Sequence, residues 1–180
     1  SSSDDVIITN NAIIADAGAD EYVCANFIAS LDGNDVETLG GSGIWTWSNA
    51  AVVTHPTSYR SRVENLQGGL NSFTWTVTSG SGGCTDDDIV EIHNESVTAN
   101  AGFNVETCNP FADILATNPD KGTGQWSLFS GNPVAFADAL DNSTTVSGLT
   151  SGSYTLRWTV TYIDSNITCT AHDDMTLLNS

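Results

Sequence analysis

Residues 154–160 read Tyr-Thr-Leu-Arg-Trp-Thr-Val, with a large apolar side chain at every second position. Such alternation, rich in aromatic and β-branched residues, predicts a strand with one buried face. Residues 73–77 read Phe-Thr-Trp-Thr-Val and carry the same pattern. Glycine-rich turn segments separate these stretches from other short ones, and helix signals are absent. The chain is therefore expected to be all-β.

The two stretches belong to a pattern that occurs twice in the 180 residues. Matching residues lie 81 to 85 positions apart, as in the pairs Cys24 and Cys108, Trp45 and Trp126, Trp75 and Trp158, and Cys84 and Cys169. Self-similarity at a fixed period indicates an array. Short strands at this spacing predict two tandem β-sandwiches of about seven strands each. The expected boundaries are 12–94 and 95–180, and residues 1–11 resemble the end of each repeat and predict the last strand of a preceding one.

Four tryptophans occupy equivalent strand positions with apolar neighbours two residues away: Trp45, Trp75, Trp126 and Trp158. This placement predicts core packing rather than sugar stacking. Phe129, Phe136 and Tyr59 fall in loop-like segments, where an aromatic ring is free to contact a glycan.

The charge is one-sided, with 22 acidic residues against four Lys and Arg and a net charge of −18. Binding to nucleic acid phosphates is excluded because it requires a basic face, and no apolar run reaches the ~18 residues of a membrane span. Some of the carboxylates are candidates for a calcium site, which takes oxygen ligands: Asp16, Asp20, Asp86, Asp87, Asp88, Asp173 and Asp174. The clusters 86–88 and 173–174 are expected to start the last strand of their repeats. The alternative to a calcium site is solvated charge that guards a strand edge.

Two cysteines per repeat, at matching positions, predict disulfides and an oxidising compartment. Pairing within each repeat joins Cys24 to Cys84 and Cys108 to Cys169, and each bond contributes ~4 kcal/mol in the chain-entropy model. In a simple seven-strand sandwich, however, the two positions lie near opposite poles. The alternative joins Cys24 to Cys169 and leaves Cys84 and Cys108 to neighbouring repeats. Both pairings stay open at this point.

The opening of each repeat, Ala-x-Ala-Gly-x-Asp/Asn before a cysteine, and the stretch 145–160 followed by 169–170 and 173–174 resemble a known repeat class. The resemblance is to the PKD-like, immunoglobulin-like repeats of giant Bacteroidota surface proteins, such as SprB-type gliding-motility adhesins exported by type IX secretion. It covers essentially the whole chain and implies an extracellular, cell-surface location. Tyr154 stands at a position suited to a tyrosine-corner hydrogen bond, whereas the first repeat has Asn71 there.

Catalytic motifs such as Gly-x-Ser-x-Gly, His-Glu-x-x-His and a phosphate-binding glycine loop are absent from the sequence, so the chain is not expected to be an enzyme. We expect a structural and adhesive segment of a long extracellular bacterial filament, a load-bearing spacer for surface attachment or gliding. Its expected partners are neighbouring repeats, surface polysaccharide or other copies of the filament, without nucleic acid or membrane insertion. The alternatives are a glycan-binding module and a spacer made rigid by calcium.

Overall fold

A computed structural model describes residues 4–6, 10–24, 28–80 and 83–180 of the chain. It divides into two compact units, Ser1–Asn94 and Glu95–Ser180, called unit 1 and unit 2 below. The strand predicted over residues 1–11 lies in part outside the described residues, and residues 4–6 and 10 are not in a strand.

Unit 1 contains seven strands among its described residues. They are β1 (Glu21–Val23), β2 (Ile28–Asp32), β3 (Ser42–Trp47), β4 (Val52–Val53), β5 (Arg60–Glu64), β6 (Gly69–Thr78) and β7 (Thr85–Asn94). One sheet has the order β1-β7-β6-β3 and the other β2-β5-β4. This is the division of strands found in an immunoglobulin-like sandwich.

Unit 2 repeats the arrangement with seven more strands. They are β8 (Val105–Thr107), β9 (Phe111–Leu115), β10 (Thr123–Ser130), β11 (Ala135–Phe136), β12 (Ser143–Ser147), β13 (Gly152–Ile163) and β14 (Thr168–Asn179). Its sheets have the orders β10-β13-β14-β8 and β11-β12-β9. The predicted fold class, two tandem immunoglobulin-like β-sandwich domains, is thus confirmed.

The strands form where the sequence alternates, because each buries one face between the two sheets. Along β6 the side chains of Phe73, Trp75 and Val77 are buried, as are those of Leu156 and Trp158 along β13. Each of these strands lies at the centre of its four-stranded sheet, between two antiparallel neighbours. They are the central strands of the two cores.

The first and last strands of each unit pair in parallel. In unit 1, Glu21 to Val23 lie opposite Ile92 to Asn94. In unit 2, β8 pairs with the end of β14 in the same way. Each sandwich is therefore closed by its own two terminal strands running side by side in one direction.

A polar corner stands at the start of the central strand in each unit. In unit 2 the hydroxyl of Tyr154 donates to the carbonyl of Thr150 at 2.8 Å and accepts the Thr150 N–H at 2.8 Å. In unit 1 the fully buried carboxamide of Asn71 does the same with Gln67, at 2.8 and 3.0 Å. The amide of Asn71 also accepts from Asn49 Nδ2 at 2.8 Å.

The Asn71 Nδ2 group makes two further bonds, to the carbonyls of Gly69 at 2.9 Å and Ile92 at 3.3 Å. The phenol of unit 2 is thus replaced in unit 1 by a smaller side chain that makes more hydrogen bonds.

Candidate functional site

The repeated Ala-Asp/Asn-Ala-Gly motif forms a tight turn at the start of each unit. The N–H of Gly18 donates to Asp16 Oδ1 at 2.9 Å, and the N–H of Gly102 donates to Asn100 Oδ1 at 2.8 Å. Both glycines have left-handed φ values, +88° and +81°, and a Cβ on either would crowd a backbone carbonyl of β2 or β9. Glycine is required here because other residues adopt this conformation at a cost and lack the space.

Carboxylates of the last strand hold the segment around this turn. In unit 1, Asp86 Oδ2 accepts the N–H of Ala15 at 2.9 Å, and Asp88 Oδ2 accepts the N–H of Ala17 at 2.8 Å. These alanines precede β1 and lie outside any strand, so their N–H groups have no backbone ladder to join. The carboxylates supply the acceptors that a neighbouring strand would otherwise provide.

Unit 2 has an equivalent bond, from the N–H of Ala101 to Asp173 Oδ2 at 2.8 Å. A further bond runs in the opposite sense in both units. The N–H of Glu91 donates to Asp20 Oδ1, and the N–H of Thr176 donates to Asn104 Oδ1, each at 2.8 Å. We call these side-chain bonds, together with the parallel pairing of the first and last strands, the clamp of each unit.

The seven residues predicted to bind calcium have different surroundings. Asp16 completes the turn, and Asp20, Asp86, Asp88 and Asp173 accept backbone N–H groups in the clamps. Among the described residues, no group of three or more His, Cys, Asp or Glu side chains lies close enough together to hold a metal ion. Calcium binding by this chain stays a prediction.

Asp87 and Asp174 have other surroundings. Asp87 lies exposed on β7. Asp174 accepts from Arg157 Nε at 2.7 Å and from its Nη2 at 2.8 Å, and this guanidinium lowers the pKa of the carboxyl. Both Asp173 and Asp174 lie in the middle of β14, which begins at Thr168. The prediction that they start the last strand is wrong, because the β13–β14 hairpin is longer than its counterpart in unit 1.

The four cysteines are in two chemical states. Cys24 and Cys169 are disulfide-bonded, whereas Cys84 and Cys108 are exposed free thiols. The predicted within-repeat pairs, Cys24 with Cys84 and Cys108 with Cys169, are therefore not formed. A sandwich places the two positions of one repeat near opposite poles, and a disulfide requires Cα atoms closer than ~7 Å.

All four predicted core tryptophans lie in the cores, with 1–2% of their surface exposed. The rings of Trp45 and Trp75 have centroids 4.9 Å apart, and those of Trp126 and Trp158 are 5.2 Å apart. A Cβ on Gly43 or Gly124 would overlap the ring of Trp75 or Trp158. The repeated Gly-x-Trp motif thus leaves room for the indole of the adjacent strand.

The indole N–H groups differ between the units. Trp45 Nε1 donates to the carbonyl of Ser58 at 3.0 Å, and Trp75 Nε1 donates to Asn34 Oδ1 at 3.1 Å. The buried indole nitrogens of Trp126 and Trp158 have no acceptor among the described residues. Unit 1 therefore satisfies its indoles, and unit 2 does not.

The three aromatic residues predicted for loops have mixed surroundings. Phe129 and Phe136 lie in β10 and β11 rather than in loops, and Tyr59 packs partly buried against the core of unit 1. Phe129 is 59% exposed, with the Arg157 guanidinium 4.0 Å from its ring centre. One face of this ring is thus covered by a cation.

Unit 1 also has an open groove of about 480 Å³ on its three-stranded sheet. The groove contains His55, Arg60 and Arg62, and thus two of the three arginines in the chain. Arg60 Nε lies 2.8 Å from Asp32 Oδ1, and Arg62 Nε lies 3.3 Å from Glu64 Oε1. Both arginines remain more than half exposed, so their remaining N–H groups face solvent.

No protein-family model and no curated protein matches the chain. Among solved structures it is similar to a SusE-like surface-located polysaccharide-binding protein from the heparin utilisation locus of Bacteroides thetaiotaomicron. The identity is 11% over 92% of this chain and 34% of that protein, with a TM-score of 0.39. The chain thus spans about a third of that protein's length.

Two further similarities are to a PKD domain and to the first two extracellular domains of human protocadherin-24. The PKD domain is 20% identical over 46% of this chain and 86% of its own, with a TM-score of 0.36. The protocadherin fragment is 13% identical over 89% of this chain and 94% of its own, with a TM-score of 0.47. These likenesses concern the fold. The described residues include no helix of the length and apolarity that a bilayer span needs.

Proposed function

We propose that this chain is a load-bearing, non-enzymatic segment of a long extracellular bacterial surface filament or adhesin. The observation that carries the proposal is the parallel pairing of the first and last strands in each unit. A pull on the two chain ends drags these strands in opposite directions along one axis. The hydrogen bonds between them are then loaded together, in shear, and must break at once.

The clamp strengthens this geometry at the position that carries the load. In unit 1, three side-chain bonds extend the contact from β1 back to Ala15, well before the strand begins. Unit 2 has two of the same bonds at matching positions. Bonds to a charged carboxylate are worth ~1.5–3 kcal/mol, more than neutral ones.

Several properties support the extracellular setting. Disulfides persist in oxidising compartments, and Cys24 and Cys169 are bonded. A net charge of −18 favours solubility and keeps neighbouring filaments apart. The resemblance of both repeats to those of SprB-type adhesins adds attachment to surfaces and gliding motility as the setting, with type IX secretion as the route of export.

Single-molecule pulling tests the proposal, because the unfolding force of a load-bearing unit should depend on the direction of the pull. The full chain, with the disulfide bonds of Cys24 and Cys169 reduced so that they carry none of the load, is pulled once through its ends and once through azide-bearing amino acids that replace Ser72 and Glu91. These two positions lie opposite each other in the antiparallel β6–β7 pair, so pulling there separates the strands bond by bond. We expect unit 1 to unfold at a several-fold higher force when pulled through the ends. Equal forces in both directions would refute a load-bearing role.

A matched pair of variants isolates the clamp. Asp88→Asn keeps an oxygen that accepts the N–H of Ala17, whereas Asp88→Leu removes it. We expect Asp88→Leu to lower the end-to-end unfolding force of unit 1 and to reduce its stability by ~1–2 kcal/mol. Asp88→Asn should lower both by less, because it keeps a neutral acceptor. If both variants unfold at the wild-type force, the clamp carries no load.

Calcium is a separate prediction, tested by thermal unfolding in EDTA and across a calcium titration with magnesium as control. A calcium site at these carboxylates is expected to give a calcium-specific rise in melting temperature that grows with calcium concentration, as linkage requires. No rise up to millimolar calcium would contradict the calcium prediction and leave these carboxylates as acceptors in the clamps.

A glycan-binding module is the second candidate function, and the groove at His55, Arg60 and Arg62 favours it. Two exposed guanidinium groups in a strongly acidic chain offer donors to sulfate or carboxylate groups on a polysaccharide. The buried tryptophans, by contrast, offer no stacking surface for a sugar. A ligand of this groove is thus expected to be acidic and bound through its charges.

Calorimetric titration of the chain with a sulfated and with a neutral polysaccharide tests this candidate. We expect binding of the sulfated polymer alone, weakened by salt and lost in Arg60→Gln/Arg62→Gln. The matched control is Arg157→Gln, which removes an arginine that lies outside the groove. Equal binding by the groove variant and wild type would exclude the groove as the site.

A further inference from the structure

Two exposed thiols in an otherwise oxidised chain require an explanation. Cys84 and Cys108 are free and exposed, whereas the other two cysteines are disulfide-bonded. A thiol left over in an oxidised extracellular protein indicates pairing with another molecule or a reactive group. Neither thiol can pair with Cys24 or Cys169, because these two are already oxidised.

Each free thiol occupies a repeat position that is bonded in the other repeat. Cys24 and Cys108 are the first cysteines of their repeats, and each directly follows the first strand, β1 or β8. Cys84 and Cys169 are the second cysteines and lie at the start of the last strand, β7 or β14. The bonded set consists of one first-position and one second-position cysteine, and so does the free set.

Local hydrogen bonds fix the backbone around both free thiols. Around Cys84, the N–H donates to Ser79 Oγ at 3.1 Å, and its carbonyl accepts the N–H of Ser79 at 2.8 Å. Beside Cys108, the N–H of Asn109 donates to Thr107 Oγ1 at 3.0 Å. Each exposed sulfur therefore lies beside hydrogen-bonded backbone.

We propose that Cys84 of one copy of this repeat pair forms a disulfide with Cys108 of another copy. The bond would combine a second-position and a first-position cysteine, as the oxidised set does. Since each copy carries one thiol of each kind, the reaction extends from copy to copy and yields a covalent series. The partner is a further copy of this chain or a repeat with the same cysteine positions.

The bond forms by two thiol–disulfide exchanges with a disulfide oxidant, either a small molecule or a protein. The Cys84 thiolate attacks the oxidant, forms a mixed disulfide and releases one thiol. The Cys108 thiolate of the second copy then attacks the Cys84 sulfur and releases the second thiol. The two cysteines lose two electrons and two protons, and the oxidant gains them as its two thiol products.

The chain's charge determines the conditions for the assay. Two copies that each carry −18 repel one another, and the Debye length falls from ~10 Å at 0.1 M salt to ~3 Å at 1 M. Oligomer formation is therefore expected to accelerate with salt. This sign separates the proposal from association through opposite charges, which salt would slow.

The experiment incubates the whole chain with oxidised and reduced glutathione and reads non-reducing gels and the masses of linked peptides. Wild type is expected to give a ladder of covalent oligomers whose linked peptides contain Cys84 and Cys108. Cys84→Ser and Cys108→Ser are each expected to remain mainly monomeric. Mixed together, the two variants are expected to give a dimer and nothing larger, because each then supplies one thiol.

Thiol titration with a colorimetric reagent first shows that the thiols are reduced and accessible, with two expected per wild-type chain and one per single variant. Accessible thiols without a ladder would overturn the proposal. Homodimers formed by either single variant as fast as in the mixture would overturn it too, since pairing would then be random. The assay reads covalent pairing and the pulling experiment reads force, so either result stands without the other.

Discussion

The corner at Tyr154 and the corner at Asn71 solve one structural problem with different chemistry. Each bonds both backbone groups of the residue four positions earlier, Thr150 or Gln67. A phenol does this at one oxygen that donates and accepts, and a carboxamide does it with two separate atoms. The comparison teaches that the fold requires a reciprocal bond at this corner, rather than a tyrosine.

The units also differ in how far their buried polar groups are satisfied. Unit 1 provides acceptors for both core indoles, and its corner amide makes five hydrogen bonds to four residues. Unit 2 leaves two indole N–H groups without an acceptor among the described residues. A buried unpaired donor costs ~1–3 kcal/mol, so unit 2 must recover this energy elsewhere in its packing.

The largest effect is expected from Asn71→Leu, which breaks the corner of unit 1. The substitution leaves the Gln67 N–H and several carbonyls unpaired in a fully buried site, at a cost of ~3 kcal/mol. Hydrogen exchange followed by mass spectrometry measures the loss in β6, with β13 as the internal reference. Asn49→Ala, which removes one of the five hydrogen bonds, should cost ~1 kcal/mol. Equal losses from the two variants would contradict the reciprocal-bond account.

Tyr154→Phe breaks the corresponding corner of unit 2. It removes the hydroxyl but keeps the buried ring, so we expect a smaller loss of ~1–2 kcal/mol, measured as faster exchange along β13. The control is Tyr59→Phe, whose hydroxyl takes no part in a corner. A loss larger than that of Asn71→Leu would reverse the comparison and make the phenol the stronger device.

Thr117→Asn tests the difference in indole hydrogen bonding by giving unit 2 the acceptor that Asn34 provides in unit 1. Asn34 and Thr117 are matched, since their N–H groups donate to the carbonyls of Asp16 and Asn100. A carboxamide at 117 is expected to accept from Trp158 Nε1 and stabilise unit 2 by ~1 kcal/mol. The indole N–H resonance of Trp158 should shift and exchange more slowly. Thr117→Val, which adds no acceptor, should do neither.

The smallest effect concerns an ion pair that unit 2 has and unit 1 lacks. Arg157 and Asp174 correspond to Thr74 and Ile89 in unit 1. Because the pKa of Asp174 is lowered by this guanidinium, its stabilisation is present above the ordinary carboxyl pKa of ~3.9 and is lost as the pH falls through the lower folded value. The pair is partly exposed, so the loss should be under ~1 kcal/mol.

Urea unfolding of the full chain from pH 7 down to pH 2 measures this difference. The free energy of unfolding of unit 2, measured by hydrogen exchange in β14, should depend less steeply on pH in Asp174→Asn than in wild type. That of unit 1 should not change. If the pH dependence is unchanged in both units, the ion pair makes no measurable contribution to stability.

The sequence predicted what depends on local pattern. The alternation at residues 73–77 and 154–160 identified the central strands, and the apolar neighbours of Trp45 and Trp126 correctly placed these rings in the core. Such features follow from burial of one strand face, because this burial requires an apolar residue at every second position. The doubled pattern likewise predicted two sandwiches.

The clamp could not be predicted in this way, because it depends on which side chains a distant segment meets. The cluster at residues 86–88 indicates only charge, which is consistent with metal binding or with solvated charge. The hydrogen bonds from the N–H groups of Ala15 and Ala17 could be predicted only if it were known that this segment lies outside the strand ladder. The matched spacing of Asp88 and Asp173 from Ala17 and Ala101 was the available signal.

The oxidation states of the cysteines depend on distance across the fold. Matching positions in two repeats are equally consistent with pairing inside a repeat and pairing across repeats, so spacing left both open.

The Asn71 corner was missed for a different reason: a carboxamide and a phenol have no sequence likeness, although they bond the same backbone groups.

The parallel closure of each sandwich also holds a segment of chain that can extend under force. The segment from residue 12 to residue 23 is held to β7 by the clamp and by β1, while the other six strands form their own pairings. If the clamp opens under a jerk and the rest of the unit stays folded, these twelve residues extend to ~40 Å of chain at ~3.3–3.6 Å per residue. A filament of many such units would behave as a damper that yields in small steps and shortens again when the tension drops.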